Sequence, residues 1–295
     1  MILVEIEDTF AEAFNLWAAR ILITTANEKW ARTVASVVTG YATSTIACDA
    51  EAGIDKFVSA SETPDGRPGV IVMFFAPKKN LDHVLLNRIG QCVLTCPTTA
   101  VFDAMPEPEE KLDTGAKMRY FGDGFQTKSE LKGRTIHEIP VMEGVFKIEA
   151  EFGIRKGVAG GNFMILAESW EKGLAAAEAA VEAIQKIDNV ILPFPGGICR
   201  SGSKVGSLKY KFMKATTNHK LCPTLKGVVG DSEIPENVSC VYEIVINGLT
   251  LDQVKRAMRD GIRAAMKMPG IVKITAGNYQ GNLGKHFIYL KELEL

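Results

Sequence analysis

The stretch NFMILAESWEKGLAAAEAAVEAIQKIDNVILPF (residues 162–194) sets the frame of the chain. NFMILAE reads as a short apolar strand, LAAAEAAVEAIQ (174–185) as an alanine-rich amphipathic helix, and NVILPF (189–194) as a second strand. The same order returns in YEIVING (242–248), LDQVKRAMRDGIRAAM (251–266) and GIVKIT (270–275). Two earlier copies precede these. ARILITT (19–25) leads through a helix between Asn27 and Thr39 into ATSTIAC (42–48), and GVIVMFF (69–75) through Leu81 to Leu94 into TTAVF (98–102).

Leu81-Asp82 and Leu251-Asp252 open two of these helices, and Cys96-Pro97 and Met268-Pro269 stop them before the next strand. Two βαβ units per half give the split βαβ order, so the expected class is α+β: two ferredoxin-like lobes from an internal duplication. The boundary falls near 140 to 160, between IPVMEG and GVAGGNF, dividing 1–150 from 151–295. A single doubly wound sheet is the alternative reading. Between the units lie long inserts: 51–69, the acidic 103–115, read as a solvated surface loop, and the run from Pro193 to about Glu236.

A chain of 295 residues, 46% hydrophobic and 23% charged, can bury a large core. With 34 basic against 35 acidic residues, the net charge of −1 supplies no excess to neutralise a phosphate backbone, so nucleic acid is not an expected partner. Glu5, Glu7 and Asp8 stand where a signal peptide needs basic and then apolar residues, and no run approaches the roughly 20 apolar residues of a membrane helix. A soluble, cytoplasmic protein is expected. The six cysteines are scattered and expected to be reduced; Cys92 and Cys96 have only His83 nearby, too few ligands for a metal.

Three glycine clusters stand at the ends of predicted strands: GVAGGNF (157–163), PFPGGICRSGSKVG (193–206) and TAGNYQGNLGKH (275–286). None fits a nucleotide fingerprint. They read either as tight turns or as backbone amides offered to a ligand's carbonyl or carboxylate groups, which makes Gly160, Gly161, Asn162, Pro195, Gly196, Gly197 and Ser201 candidate substrate contacts. Lys204, with Arg200, adds positive charge suited to a substrate with an acidic tail. In the strand VYEIVING, period-2 alternation puts Glu243 on one face with Val241 and Val245, where desolvation raises a carboxyl group's pKa toward neutrality. The alternative is a face open to water or a lysine partner. Cys92, Cys96 and Cys199 lack a local cysteine–histidine signature for nucleophilic catalysis.

Read together with VEIEDTFAEAF (4–14), ETPDGRPG (62–69), LNRIGQCVLTCPT (86–98), CVYEIVINGL (240–249) and IVKITAGNY (271–279), these clusters resemble the formylmethanofuran:tetrahydromethanopterin formyltransferase family over nearly the whole chain. The resemblance implies a two-lobed protomer that assembles as a homotetramer and has no prosthetic group. Formylmethanofuran and tetrahydromethanopterin are then the carrier substrates, brought together in a cleft that includes a subunit interface. Carried over, the family's buried acid falls on Glu243. TGYATSTIACDAEAG (39–53) departs from the more usual TGFGTSVIMCPAEAG, and Cys199-Arg200 stands where many relatives have Val-Ala.

Formyl transfer between two amines needs attack on the formyl carbon, stabilisation of an oxyanion and protonation of the departing amine, with no covalent enzyme intermediate. Glu243 is the candidate acid/base, and Asn247 or glycine-flanked amides are the oxyanion donors. Glu168 and His286 are the substitutes should Glu243 prove exposed. Two other readings share these residues: a transferase subunit of a methylotroph's formyltransferase/hydrolase complex, and a non-catalytic pterin-binding scaffold.

Overall fold

The computed structural model describes residues 4–202 and 204–295. In chain order the elements are β1 (Glu5–Ile6), β2 (Phe10–Thr24), α1 (Glu28–Val38), β3 (Glu51–Val58), β4 (Gly69–Ala76), α2 (Lys78–Arg88), β5 (Ala100–Asp103), β6 (Glu110–Leu112), α3 (Thr114–Met118) and β7 (Thr127–Leu131). There follow β8 (Arg134–Val141), β9 (Gly144–Glu149), β10 (Phe152–Ala167), α4 (Trp170–Ile184), β11 (Val190–Ile191), β12 (Cys240–Gly248), α5 (Leu251–Met266), β13 (Ile271–Thr275) and β14 (His286–Tyr289). The class is α+β, in two compact units: Leu16–Gly157, and Met1–Asn15 with Val158–Leu295.

Each unit repeats one frame. In the first, the antiparallel order is β5-β2-β4-β3. In the second it is β13-β10-β12-β11, again antiparallel throughout. Numbering the four strands of each frame along the chain gives 4-1-3-2 both times, with a helix after the first and third strands: the split βαβ, ferredoxin-like arrangement.

Alternation along each strand sends one row of side chains to the helices and the other row away from them. Ile21, Ile23, Val70, Val72 and Phe74 face α1 and α2 in the first unit, with Val34, Val38, Leu81 and Leu85 opposite. Phe163, Ile165, Ile244 and Ile246 face α4 and α5 in the second. Burial of each such side chain stabilises by about 1.5–3 kcal/mol. Helices α1, α4 and α5 begin at hydrogen-bonding caps: Asn27, Ser169 and Thr250 each accept the amide of the residue three positions on.

The two frames differ in what covers the helix-free face. In the first unit β7, β8 and β9 form an antiparallel meander joined to β5 through β9, and Ile136 packs on Leu22, Ile71 and Phe102. IPVMEG (139–144) is the β8–β9 hairpin. In the second unit the long connection between β11 and β12 supplies the cover: its Ile234 and Val238 are buried with Met164 and Leu166, and its Leu221 packs beside them.

Two local expectations change. ATSTIAC is not a strand; residues 42–48 run in turns, and β4 pairs instead with β3, inside the stretch read as an insert. The cause is Arg88 of α2. Its buried guanidinium donates to the carbonyls of Val38, Gly40 and Tyr41 and, twice, to the Asp49 carboxylate at 2.5 and 3.2 Å, wrapping this segment around a charge. Asp49 is one of the departures noted above. In the acidic 103–115 stretch, Glu110–Leu112 pairs with β10 through its backbone while the side chains of 106–111 stay exposed.

Candidate functional site

Strand β12 places the site. Ile244 and Ile246 point to the helices, so Val241, Glu243, Val245 and Asn247 share the helix-free face. Glu243 is 3% exposed and Asn247 fully buried. Across the sheet, Met164 of β10 stands opposite Glu243 on one side and Thr275 of β13 on the other. At the outer edge of β12, beyond β11, the chain returns at Cys199, which exchanges two backbone hydrogen bonds with Glu243 at 2.8 and 3.0 Å. A carboxyl group is thus held within a strand, paired on both sides and largely shielded from water.

The Cys199 thiol beside it is 2% exposed, and burial, with the Glu243 charge as the next influence, pushes it up to about 11. It is therefore a protonated, inert thiol at neutral pH. Cys199→Ala, which deletes only the buried thiol, is expected to leave turnover of the folded protein within about threefold of wild type. Steady-state rates of the purified variant check this; a loss of orders of magnitude returns the thiol to the mechanism. Burial also raises Cys92 and Cys96, and all six cysteines are free.

Gly160 sits in a bulge in β10, and Gly161 and Asn162 follow it in regular register with Ile246 and Val245 of β12. The register against β12 shifts between Val158 and Gly161, and Gly160 adopts φ +82° with its amide donating to Asn247 Oδ1 at 3.0 Å. Asn162 Nδ2 donates to the carbonyls of Gly160 and Gly277, both at 3.1 Å, and its Oδ1 accepts from Gly277 at 2.6 Å. Gly161 lies against α5, where an added Cβ meets Val254 at 2.3 Å. At Gly160 an added Cβ would meet the Phe14 ring at 2.6 Å, in a backbone region unfavourable to L side chains. Gly160→Ala should lower stability by about 1–3 kcal/mol through strain and overpacking, measurable by denaturant unfolding; an unchanged midpoint would mean the bulge is not needed.

The other candidates fall in two places. Pro195–Gly197 forms a tight turn off the edge of β12, and Gly197 packs on Val181 of α4, on the helix side of the sheet. Ser201 Oγ lies 4.0 Å from Cys199 Sγ. Lys204 Nζ donates to Thr216 Oγ1 at 3.0 Å, tying the connection to itself, and Arg200 is exposed. Of the substitutes for Glu243, Glu168 is in a surface ion pair with Lys172 at 2.6 Å, and His286 Nε2 lies 2.7 Å from Asn15 Oδ1. Among the described residues no group of three or more histidine, cysteine, aspartate or glutamate side chains is placed to hold a metal, and no helix is long and apolar enough to cross a membrane.

Sequence reasoning passed over Glu12. It is 2% exposed, and its carboxylate accepts the amides of Tyr279 at 2.7 Å, Gly281 at 3.0 Å, Gly284 at 2.6 Å and Leu283. Burial pushes its pKa up, but the four amides together hold it below the ordinary value. TAGNYQGNLGKH is thus organised around a carboxylate of the protein itself. Its signal was in the sequence: Glu12 stands between Ala11 and Ala13 in a strand, as Glu243 stands in an apolar strand.

A family model described as formylmethanofuran-tetrahydromethanopterin formyltransferase matches residues 1–141, and one described as the FTR proximal lobe matches 144–293. A relative from Methanocaldococcus jannaschii bearing that enzyme's name is 60% identical, over 98% of each chain, and one from Methanothermobacter thermautotrophicus is 57% identical, over 98% of each. Among solved structures, formylmethanofuran:tetrahydromethanopterin formyltransferase from Methanosarcina barkeri superposes with a TM-score of 0.94, at 52% identity over 98% of each chain. A chain of the formyltransferase/hydrolase complex from Methylorubrum extorquens, solved with methylofuran, gives 0.93 at 46% identity, over 98% of this chain and 96% of that one.

Proposed function

The chain belongs to the formylmethanofuran-tetrahydromethanopterin formyltransferase family, and from that premise we propose that it moves a formyl group between formylmethanofuran and N5 of tetrahydromethanopterin in a ternary complex, with Glu243 as acid/base. The observation that carries the assignment of Glu243 is its burial on the helix-free face of β12, in line with Asn247. Removal from water favours the protonated form of a carboxyl group, so such a side chain can hold a proton and deliver it at working pH.

N5 attacks the formyl carbon, the carbonyl oxygen takes up the negative charge, and the bond to the methanofuran nitrogen breaks as that nitrogen gains a proton. The proton lost by N5 returns, through Glu243, to the departing amine, so the step balances without a covalent enzyme intermediate. Holding both carriers together supplies much of the rate through orientation. Amides near the Gly160 bulge and the side chain of Asn247, whose Oδ1 is fixed by Gly160, are the groups we assign to the oxyanion. Gly161, Asn162, Pro195, Gly196, Gly197, Ser201 and Lys204 are the remaining proposed contacts.

Ultraviolet assay of the purified protein with both carriers tests the reaction: formation of formyltetrahydromethanopterin supports it, whereas binding without product leaves only a scaffold. A second reading, work as the transferase subunit of a formyltransferase/hydrolase complex, is favoured by the likeness to the Methylorubrum extorquens chain. Transfer by this chain without hydrolase subunits separates the two. We further propose a cytoplasmic homotetramer. Leu208, Tyr210, Phe212 and Met213 are all exposed in the β11–β12 connection, an apolar surface suited to subunit contact. Sedimentation should show activity tracking assembly, and a fully active monomer would remove any interface-built site.

A further inference from the structure

The loop cradled by Glu12 reaches the site through the side chain of Tyr279. Tyr279, whose amide donates to Glu12 Oε2, accepts on its phenol oxygen the amide of Val205 at 2.9 Å. Val205 lies in the β11–β12 connection, six residues past Cys199, which is bonded to the backbone of Glu243. The far side of Val205 bridges to Ala215. Ser201 and Lys204 therefore stand between two pins: Cys199 on β12 and Val205 on Tyr279.

We propose that Tyr279 is a positioning residue, whose phenol holds the Val205 end of this connection in register with Glu243, and that Glu12 fixes Tyr279 for the purpose by binding its amide together with those of Gly281, Leu283 and Gly284. The inference rests on the reading of Glu243 as the acid/base and of Ser201 and Lys204 as carrier contacts. Three features support it. Asn162 ties Gly277, two residues before Tyr279, to the Gly160 bulge, so the loop is fastened to the strand beside β12. Burial outweighs the lowering effect of the Val205 amide and, with the charges of Glu243 and Glu12 adding to it, holds the phenol above its ordinary pKa, so it stays neutral across the working range and its oxygen remains an unvarying acceptor. The amides around Glu12 span 279–284, which leaves the loop little freedom to carry Tyr279 elsewhere.

A residue acting this way supports contacts made in ground and transition states alike, so its loss appears in KM rather than in kcat. Tyr279→Phe deletes only the hydroxyl. In steady-state kinetics the variant should raise KM for one carrier by about tenfold, the scale of one lost hydrogen bond, with kcat within about threefold and its pH profile unchanged in shape. Glu12→Gln should reproduce the KM rise, with a loss of stability that Tyr279→Phe does not show. Wild-type KM for both carriers in Tyr279→Phe, or a fall in kcat with an altered pH profile and no change in KM, overturns the positioning role. Glu243→Gln in parallel separates the two claims. Slow Glu243→Gln with wild-type Tyr279→Phe keeps the acid and removes the positioning role; wild-type Glu243→Gln with raised KM in Tyr279→Phe keeps the positioning and removes the acid.

Discussion

Glu243→Gln is expected to slow formyl transfer by about 10²–10⁴-fold, the range for a positioned acid/base group, while the protein stays folded and binds both carriers. The amide keeps the volume and reach of the carboxyl group, and the backbone bonds from Glu243 to Cys199 do not involve the side chain. The capacity to move a proton is lost, together with the negative charge that acts on Cys199 and Tyr279. A structural role predicts the reverse: lower stability and near wild-type turnover of the folded fraction. Single-turnover rates beside thermal unfolding of the same preparation decide between them. A variant that turns over normally hands the proton to another group, and neither Glu168, paired with Lys172, nor His286, beside Asn15, is buried as Glu243 is.

Glu12→Gln is expected to cost on the order of 3 kcal/mol at neutral pH, because a carboxamide nitrogen replaces an oxygen facing backbone donors and leaves buried N–H groups unsatisfied. The loss depends on pH with a definite sign. The folded-state pKa of Glu12 lies below its ordinary value, because the four amides outweigh burial. Its stabilising contribution is therefore complete above the ordinary carboxylate range and disappears as pH falls through the depressed folded value. Wild type and variant should converge in stability as the solution is acidified. Urea unfolding at neutral pH and at several acid values measures this, and a gap constant with pH would mean that the charge on Glu12 is not what holds the loop.

The repeated frame was legible in the sequence because hydrophobic period reports which row of a strand meets a helix. The face of Glu243 was legible for the same reason, since Ile244 and Ile246 must turn inward together. ATSTIAC misled because its β-branched residues suit a strand, whereas a distant arginine, Arg88, decides the path of 38–49. Those contacts span 39 to 50 residues and leave no local period. The burial of Glu12 had a local signal, but its donors did not, because acceptor and donors lie at opposite ends of the chain. Glycine clusters showed where the backbone turns tightly, but not which turns serve packing, as Gly197 does against Val181.

The connection between the second and third strands of each frame differs greatly in length: ten residues between Val58 and Gly69 in one, 48 between Ile191 and Cys240 in the other. Closing a flexible loop depends only on the logarithm of its length, so this nearly fivefold growth raises the chain-entropy penalty by about 1.4 kcal/mol. Both strand ends were already adjacent, and the sheet needs no rearrangement to accept the longer path. A duplicated frame can thus evolve one copy at little thermodynamic risk, keeping its strand order while a hairpin link lengthens into a wall beside Glu243.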